Sequence, residues 1–354
     1  MEGVFFGWDI GGAHLKVASL DAGGRLLAVR QVACPLWQGL AQLQQACTAL
    51  AVTRMAPGAV HAVTMTGELC DVFPDRASGV HGILECLAGM LNERVTLRIY
   101  AGDDAWLSPA AAVTAAARVA SANWLALAHL VASRVKQGVL LDIGSTTSDV
   151  ILIEDGQVRN RGRDDASRLA CGELVYTGVV RTAVMAVCRQ VPIHGLWQGL
   201  AAEYFATMAD VHRLLGQLDE RHDQMPAADG RGKDLEASAR RLARMLGRDF
   251  GVDASLADMR GVARHLSRIQ AREIEDALAL QLSRAQDGGA SLPLIGAGAG
   301  AFVAAHLAQT QGRGYLPFQS LLETDMEGSL AQQAALSAPA VAVAKLLHRA
   351  WQAR

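Results

Sequence analysis

Hydrophobic and polar positions follow the same order in two blocks of the chain, one at its start and one near its middle. The first block predicts three strands over residues 3–9, 14–20 and 25–33, joined by the turns GGAH and DAGG. Short apolar runs bounded by glycine and aspartate are typical of antiparallel hairpins. The second block, VLLDIGSTTSDVILIEDGQV, opens at Val139 and repeats the pattern. Each block continues into alternating helices and strands, which predicts two related α/β lobes around a cleft.

The two blocks set the predicted domain boundary. Residues 1–136 are assigned to an N-terminal lobe with the first hairpin, and residues 137–354 to a C-terminal lobe with the second. Within the second lobe, residues 172–286 show an almost wholly helical pattern and are predicted to form a helical insertion. The polar, glycine-bearing stretch 219–233 inside it is interpreted as a mobile surface loop.

The end of the second lobe carries two further predicted features. The sequence LPLIGAGAGAFVAAHLA indicates a short strand, a glycine-rich turn over residues 296–300 and a helix. A final helix is predicted over roughly residues 328–352.

Composition narrows the class of protein. Of 354 residues, 51% are hydrophobic and 19% charged, and the formal net charge is −2, so neither nucleic acid nor an anionic membrane is an expected partner. The six cysteines form no C-x-x-C pair, which indicates a reducing compartment. The start of the chain has no basic n-region of a signal peptide. We expect a cytoplasmic protein that acts on small molecules, with a homodimer possible.

The first hairpin carries the residues of a phosphate site. Glycines at a turn let backbone N–H groups approach phosphate oxygens without a Cβ in the way. An aspartate just before such a turn is suited to hold hydrated Mg²⁺, the one cofactor we expect. Asp9 is the candidate metal ligand, Gly11 and Gly12 are the candidate diphosphate-binding residues, and Lys16 is the candidate catalytic cation that neutralises the charge.

The second hairpin repeats these parts and adds hydroxyl groups. Asp142 and Asp149 are its candidate metal ligands, and the candidate diphosphate- or nucleotide-binding residues are Gly144, Ser145, Thr146 and Thr147. One D-x-G-G turn alone is ordinary hairpin chemistry. Two copies predict a clamp that holds a Mg²⁺-polyphosphate from both sides. Gly296 and Gly298 in the late glycine turn are further candidates for binding the diphosphate or a nucleoside, although a G-x-G turn by itself is weak.

The stretch TGELCD, after a predicted strand, offers candidates for a general base. Glu68 and Asp71 follow a strand end, where α/β folds place ligands. The same residues also fit the cap and acidic first turn of a helix, and both interpretations stay open.

The order D-x-G-G, D-x-G-S-T-T-x-D and G-A-G resembles the acetate kinase, hexokinase, Hsp70 and actin superfamily. Within it, GWDIGGAHLKVA, TMTGELCDVFPDRASGV, LLDIGSTTSDVILI and ADGRGKDLEASARRLARMLGRD are similar to the hydantoinase/oxoprolinase branch, and to its members linked to tetrahydromethanopterin-dependent one-carbon transfer. The resemblance runs nearly end to end and implies a two-lobed sugar-kinase, Hsp70 and actin type of α/β fold.

The resemblance also implies an activity in methanofuran or methylofuran biosynthesis. A (5-aminomethylfuran-3-yl)methyl diphosphate would condense with tyramine or glutamyl-tyramine to form an aryl furfuryl ether and release diphosphate. The clamp would then stabilise the leaving group. The alternative is an ATP-dependent small-molecule kinase or hydantoinase-type ATPase of the same fold; a nucleotide-gated binding module is a third possibility.

Overall fold

The computed structural model describes residues 4–51, 58–91, 94–103, 105–322 and 328–353. The chain divides into two compact units, and each is described by itself. The first unit comprises Met1–Lys136, Ile153–Val158 and Pro317–Arg354, and the second comprises Gln137–Leu152 and Arg159–Leu316.

The first unit is built on a six-stranded sheet in the order β3-β2-β1-β4-β5-β6. Its strands are β1 (Phe5–Ile10), β2 (His14–Leu20), β3 (Leu26–Ala33), β4 (Val60–Met65), β5 (Thr96–Tyr100) and β6 (Trp106–Leu107). Its helices before the chain enters the second unit are α1 (Ala41–Ala49), α2 (Arg76–Met90), α3 (Pro109–Thr114), α4 (Ala116–Val119) and α5 (Asn123–Ala132). The predicted meander of three strands is confirmed, with β1 antiparallel to β2 and parallel to β4.

The second unit repeats this arrangement in a sheet of order β10-β8-β7-β13-β14, with β9 also paired to β8. The strands of this sheet are β7 (Gly138–Ile143), β8 (Ser148–Glu154), β9 (Gln157–Val158), β10 (Leu174–Val175), β13 (Leu294–Ala297) and β14 (Tyr315–Pro317). Of these, the last two residues of β8, all of β9 and Pro317 are assigned to the first unit. As β1 does in the first unit, β7 lies between its hairpin partner and a parallel strand, here β13. The internal repeat read from the two hydrophobic blocks is therefore present in the sheet topology.

The end of the chain packs on the first unit, whereas the sequence assigned it to the second lobe. Helix α13 (Ala338–Gln352) lies on β1, where a Cβ added at Gly7 would come 2.0 Å from the carbonyl oxygen of Ala340. A glycine in the strand facing an alanine-rich helix allows this close approach. The Lys345 ammonium also donates to the carbonyl oxygen of Gly24 at 2.7 Å. Because these contacts join the two ends of the chain, a single boundary at residue 136 cannot assign both ends to the same unit.

The predicted final helix is two helices. Helix α12 (Gly328–Leu336) and α13 meet at a bend of 93°, because Pro339 in the first turn of α13 has no N–H to continue the preceding helix. By length and composition together this bent pair would pass as a membrane-spanning segment, but α13 is largely buried and no single helix in the described part of the chain is long and apolar enough.

The predicted helical insertion is only partly helical. Its helices are α7 (Val184–Val187), α8 (Met208–Leu214), α9 (Leu235–Met245) and α10 (Leu256–Leu282); α6 (Asp165–Ala170) precedes the insertion and α11 (Ala301–Thr310) follows it. The stretch GELVYTGVVRTAVMAV, expected to be helical, contains β10 and one turn of helix, and is followed by the hairpin β11 (Gln190–Ile193) and β12 (Leu196–Gly199). Its valines, threonines and glycines favour extended backbone over helix.

The stretch 219–233, predicted to be a mobile loop, is held by buried ion pairs. Asp223 accepts from Arg213 at 2.7 Å and lies 3.1 Å from the Lys233 ammonium. Asp229 pairs at 3.1 Å with Arg241, whose side chain is fully buried. Removing one partner of a buried pair leaves an uncompensated charge. The polar composition that suggested mobility instead supplies the charges that fix the loop.

Candidate functional site

The first candidate half-site is a row of polar side chains across the sheet of the first unit. Asp9, 4% exposed near the end of β1, is in register with Lys16 on β2 and with Thr64 on β4. The Lys16 ammonium lies 3.6 Å from the Asp9 carboxylate. Residues in register on neighbouring strands share a face of the sheet, so a carboxylate, a cation and a hydroxyl are placed side by side.

The turn next to this row is tightly packed on one side. The Gly11 N–H donates to the His14 carbonyl oxygen at 3.0 Å, which closes the turn. A Cβ on Gly12 would lie 2.8 Å from the Cys70 sulfur, so only glycine fits there without a shift. Cys70 and Thr66 both flank the turn, because a Cβ on Gly11 would be 3.6 Å from the Thr66 hydroxyl. The turn and the TGELCD stretch therefore meet, as the strand-end argument predicts.

The two candidate bases in that stretch have different environments. Glu68 is 1% exposed, and its Oε1 accepts from the Ser121 N–H at 2.8 Å and from the Ser121 hydroxyl at 3.1 Å. Ser121 has a φ of +52°, an uncommon backbone conformation for a serine. Glu68 thus fixes a strained backbone position, while Asp71 is exposed. The segment forms a single 3-10 turn over Gly67–Leu69, and helix α2 begins later.

The second candidate half-site lies at the end of β7. Asp142 is 9% exposed and in register with Ala297 on β13. The turn after it closes through the Gly144 N–H, which donates to the Thr147 carbonyl oxygen at 2.8 Å. Ser145 is half-buried, as are Thr146 and Thr147. The Ser145 and Thr146 hydroxyl oxygens are 3.4 Å apart, so two short polar side chains share one small region.

The two glycines predicted from the late G-x-G turn have different surroundings. Gly298 has a φ of +80°, and a Cβ there would lie 2.4 Å from the Ile143 carbonyl oxygen and 2.6 Å from the Asp142 carboxylate. Gly298 therefore borders the candidate site, and only glycine fits there, because of both the positive φ and the close contacts. A Cβ on Gly296 would instead meet the Tyr315 hydroxyl at 2.4 Å, which indicates a packing role.

Asp149, predicted as a metal ligand, forms a buried ion pair. Its carboxylate accepts from the Arg168 guanidinium at 2.6 Å, and Arg168 is 2% exposed. Burial raises the pKa of Asp149, and the Arg168 charge opposes that shift. This pairing favours a structural role for Asp149. Among the described residues no three or more His, Cys, Asp and Glu side chains converge as a metal site.

The remaining acidic candidates still fit Mg²⁺ bound together with a phosphate. Mg²⁺ usually takes one or two carboxylates and completes its shell with water and phosphate oxygens, so a cluster of three protein ligands is not required. Asp9 and Asp142 each end a buried strand beside a glycine turn. The donor set therefore matches the ion at Asp9 and Asp142, and does not at Asp149.

Several residues at these half-sites were not predicted. Thr64 is visible in the sequence as a polar residue inside the hydrophobic strand VHAVTM, but only its register with Asp9 on β1 brings it to the candidate site. Cys70 and Arg168 come close to the predicted residues only through tertiary packing. Gly178 meets the second turn, since a Cβ on it would lie 2.4 Å from the Thr146 nitrogen. None of these four contacts follows from spacing along the chain.

Comparison with known proteins places the chain among enzymes and in a known fold. Residues 59–350 match the hydantoinase/oxoprolinase family. A relative from Methanocaldococcus jannaschii is 31% identical over 247 residues, covering 70% of this chain and 72% of the relative. It is named (4-{4-[2-(gamma-L-glutamylamino)ethyl]phenoxymethyl}furan-2-yl)methanamine synthase. A relative of the same name from Methanococcus vannielii is 31% identical over 115 residues, covering 32% of this chain and 51% of that relative. Two relatives named synthases support the prediction of an enzyme.

A solved structure extends the comparison to three dimensions. The nucleotide-free structure of acetone carboxylase, an enzyme described as carboxylating acetone in an ATP-dependent reaction, superposes with a TM-score of 0.51. The identity is 12%, and the match covers 85% of this chain and 66% of that one. Together with the duplicated sheets, this confirms the predicted α/β fold of the sugar-kinase, Hsp70 and actin type.

Proposed function

The chain belongs to the hydantoinase/oxoprolinase family, and on that premise we propose that it is a synthase for an aryl furfuryl ether of methanofuran or methylofuran biosynthesis. The observation that carries this proposal is the 31% identity, over 70% of the chain, to a relative named as such a synthase. That name describes a furan that bears an aminomethyl group and a phenoxymethyl ether, with a glutamylaminoethyl arm on the phenyl ring. The substrates that fit are a (5-aminomethylfuran-3-yl)methyl diphosphate and glutamyl-tyramine, with tyramine as the simpler acceptor.

The proposed step forms one carbon–oxygen bond and breaks another. The phenol oxygen attacks the furfuryl methylene carbon, and the carbon–diphosphate bond breaks with its electron pair leaving on diphosphate. The phenol proton passes to a base, because a phenol with an ordinary pKa of about 10 is a weak nucleophile at neutral pH. The furan oxygen stabilises positive charge on the methylene carbon, so stabilising the leaving diphosphate is the main catalytic task.

The first half-site supplies charge for that task. The Lys16 ammonium next to Asp9 is suited to neutralise a diphosphate oxygen, and the anion would approach the turn at Gly11 and Gly12 from the side that Thr66 and Cys70 do not occupy. Asp9 is the residue we propose to hold Mg²⁺ there. Bound Mg²⁺ would neutralise negative charge that develops on the leaving group.

The second half-site offers hydrogen bonds in addition. The neighbouring Ser145 and Thr146 hydroxyls are the groups we propose to donate to phosphate oxygens, and Asp142 is the proposed ligand of Mg²⁺ on this unit. Gly144 closes the turn and Gly298 keeps space beside Asp142. Preorganised donors of this kind stabilise an anionic leaving group without reorganising during the reaction.

For the base, we propose Asp71 ahead of Glu68. Glu68 is buried and already accepts two hydrogen bonds from Ser121, so its protonation would disturb a backbone contact. Asp71 is exposed on the same stretch, beyond the Cys70 contact with the first turn. A residue at the surface can exchange the phenol proton with solvent.

Calorimetry in the presence of Mg²⁺ tests the proposal. Pyrophosphate, a furfuryl diphosphate analogue, ADP and ATP are titrated into the wild type, Asp9→Asn and Asp21→Asn. Asp21 provides a matched control, because it starts the DAGG turn of the same sheet and its carboxylate accepts from the Arg25 N–H at 2.8 Å. We expect the diphosphates to bind wild type and Asp21→Asn equally, and Asp9→Asn at least tenfold more weakly, as expected for loss of one charged ligand (about 1.4 kcal/mol).

The second turn is tested the same way. Asp142→Asn is compared with Asp155→Asn, which changes the aspartate of the β8–β9 turn. Mass spectrometry of a reaction with tyramine or glutamyl-tyramine then detects the ether and identifies the acceptor. Tight binding of ATP with no binding of the diphosphates would replace the proposal by the kinase or ATPase alternative.

A further inference from the structure

A buried glutamine lies behind the second turn. Gln270, on the long helix α10, is fully buried. Its side-chain Nε2 donates to the Thr177 hydroxyl oxygen at 3.0 Å and to the Gly178 carbonyl oxygen at 2.9 Å. Leu266 and Ile274, one helical turn before and after it, are buried in apolar cores, so an apolar residue would continue this face of the helix. The amide at this position needs a different explanation from packing.

The other end of the amide is also occupied. Its oxygen lies 2.8 Å from Nε2 of His212, which is itself fully buried, and Nδ1 of His212 lies 3.0 Å from Oε1 of Gln217. Burial lowers the pKa of His212, and its hydrogen bonds to Gln217 and Gln270 oppose that shift. Because the Gln270 amide nitrogen is spent on Thr177 and Gly178, its oxygen must accept, and the His212 proton sits on Nε2. The Gln270 side chain thus joins His212 to the loop at Thr177 and Gly178.

The loop that Gln270 holds is the support of the phosphate-binding turn. A Cβ on Gly178 would lie 2.4 Å from the Thr146 nitrogen and 2.5 Å from the Ser145 carbonyl carbon. The N–H groups that follow, Val179–Arg181, donate to the carbonyl oxygens of Gly144 and Ser145 at 2.8–3.1 Å. Any displacement of this loop therefore moves the turn that presents Ser145 and Thr146.

We propose that Gln270 is a positioning residue for the phosphate-binding turn over residues 144–147, acting through Thr177 and Gly178. The proposal rests on the proposed function in that it takes this turn to bind phosphate. Two amide hydrogen bonds fix the loop from below, and the loop fixes the turn by direct backbone contact. An apolar side chain would fill the same space, but only the amide can hydrogen-bond to the loop and hold it in one position.

The test compares two buried glutamines of the same helix. Gln270→Met removes the donor to the loop with little change of volume. Gln281→Met is the matched control, because Gln281 is also fully buried and donates to a backbone carbonyl, that of Cys171, at 2.8 Å, three turns further along the helix. Gln270→Met loses two donated hydrogen bonds and the acceptor that faces His212, and Gln281→Met loses its bond to Cys171 and the acceptor that faces Arg284, so the thermal stability of both variants is measured beside the affinities. A third variant, Gln270→Glu, keeps an oxygen toward His212, replaces the donor to the loop by a second carboxylate oxygen and adds a buried negative charge.

The affinities for Mg²⁺-pyrophosphate and Mg²⁺-ATP are measured by calorimetry on folded protein, and the KM values by turnover with the furfuryl diphosphate and tyramine. We expect Gln270→Met and Gln270→Glu to bind phosphate about tenfold more weakly than the wild type, because the turn is no longer held in place. Gln281→Met should bind phosphate like the wild type. The KM for the diphosphate donor should rise with them and the KM for tyramine should not, a division that loss of stability alone does not produce.

The outcomes separate this inference from the proposed function. Equal phosphate affinity of the Gln270 and Gln281 variants overturns the positioning role and leaves the synthase proposal standing. Wild-type protein that binds ATP and not pyrophosphate refutes the synthase proposal, and the Gln270 comparison is then decided with ATP. Wild-type protein that binds neither ligand refutes both.

Discussion

Replacing Glu68 by glutamine separates a catalytic base from a structural acceptor. The glutamine keeps an oxygen where Glu68 accepts two hydrogen bonds from Ser121, and it removes the negative charge. A hydrogen bond to a charged group contributes about 1.5–3 kcal/mol and one to a neutral group about 0.5–1.5 kcal/mol. Two such bonds weakened by about 1 kcal/mol each predict that Glu68→Gln lowers the free energy of unfolding by about 2 kcal/mol.

The expected loss in kcat depends on whether Glu68 is a structural acceptor or the general base. A structural acceptor that keeps its geometry should leave kcat within about tenfold of the wild type, whereas removal of a general base typically costs 10²–10⁴-fold. Because Glu68 is 1% exposed and bound to Ser121, we expect the smaller effect. Asp71→Asn, at the exposed carboxylate of the same stretch, should show the larger one.

The assay combines urea denaturation with initial rates of ether formation at saturating substrates. Glu68→Leu serves as the variant that removes both hydrogen bonds from Ser121, and it should be less stable than Glu68→Gln. The reasoning is refuted if Glu68→Gln loses 100-fold or more in kcat, in the range of a lost general base, while its denaturation midpoint is unchanged.

Three further predictions concern the framework. Arg168→Met should lower the free energy of unfolding by about 3–5 kcal/mol in urea denaturation, because it leaves the Asp149 carboxylate buried without its cation, and adding Asp149→Leu should restore most of it. Burial lowers the pKa of Lys345 from its ordinary value of 10.5 to about 8, with the charge of a nearby arginine adding to the shift. Between these pH values the unfolded state binds more protons, so wild-type stability should rise with pH relative to Lys345→Met, and a flat difference would contradict this. Gly7→Val should prevent α13 from docking, since even a Cβ would lie 2.0 Å from the Ala340 carbonyl oxygen, and limited proteolysis should then release the C-terminal helix.

The parts of the fold that the sequence predicts are those fixed by local chemistry. The three predicted strands of the first block match the observed ones to within two residues at every end, because the turns GGAH and DAGG mark them and short apolar runs lie between the turns. The helical pattern predicted for the later part of residues 172–286 is present as α9 and α10. Local signals failed over residues 172–200, where valine, threonine and glycine were read as helix although they form β10, a short helix and the hairpin β11–β12.

The candidate site is predictable only in part for a related reason. Asp9 and Gly12 are visible because they sit in one short motif. The distinction between Asp142, which borders the turn, and Asp149, whose carboxylate binds Arg168, depends on a residue 19 positions away along the chain. Burial and ion pairing decide the role of a carboxylate, and the adjacent residues in the sequence predict neither of them.

The first sheet contains two turns of nearly the same sequence, DIGG at the end of β1 and DAGG after β2, which begin at Asp9 and Asp21. Their surroundings differ. Asp9 ends a strand that runs parallel to β4, so its carboxylate lies at the edge where α/β sheets place ligands. Asp21 lies at the opposite end of β2, where Gly24 packs on His348 of α13 and its carbonyl oxygen accepts from the Lys345 ammonium. The first turn therefore meets the TGELCD stretch at Thr66 and Cys70, and the second is covered by α13. Two copies of a motif within 16 residues thus acquire different roles from strand direction and from a helix more than 300 residues away.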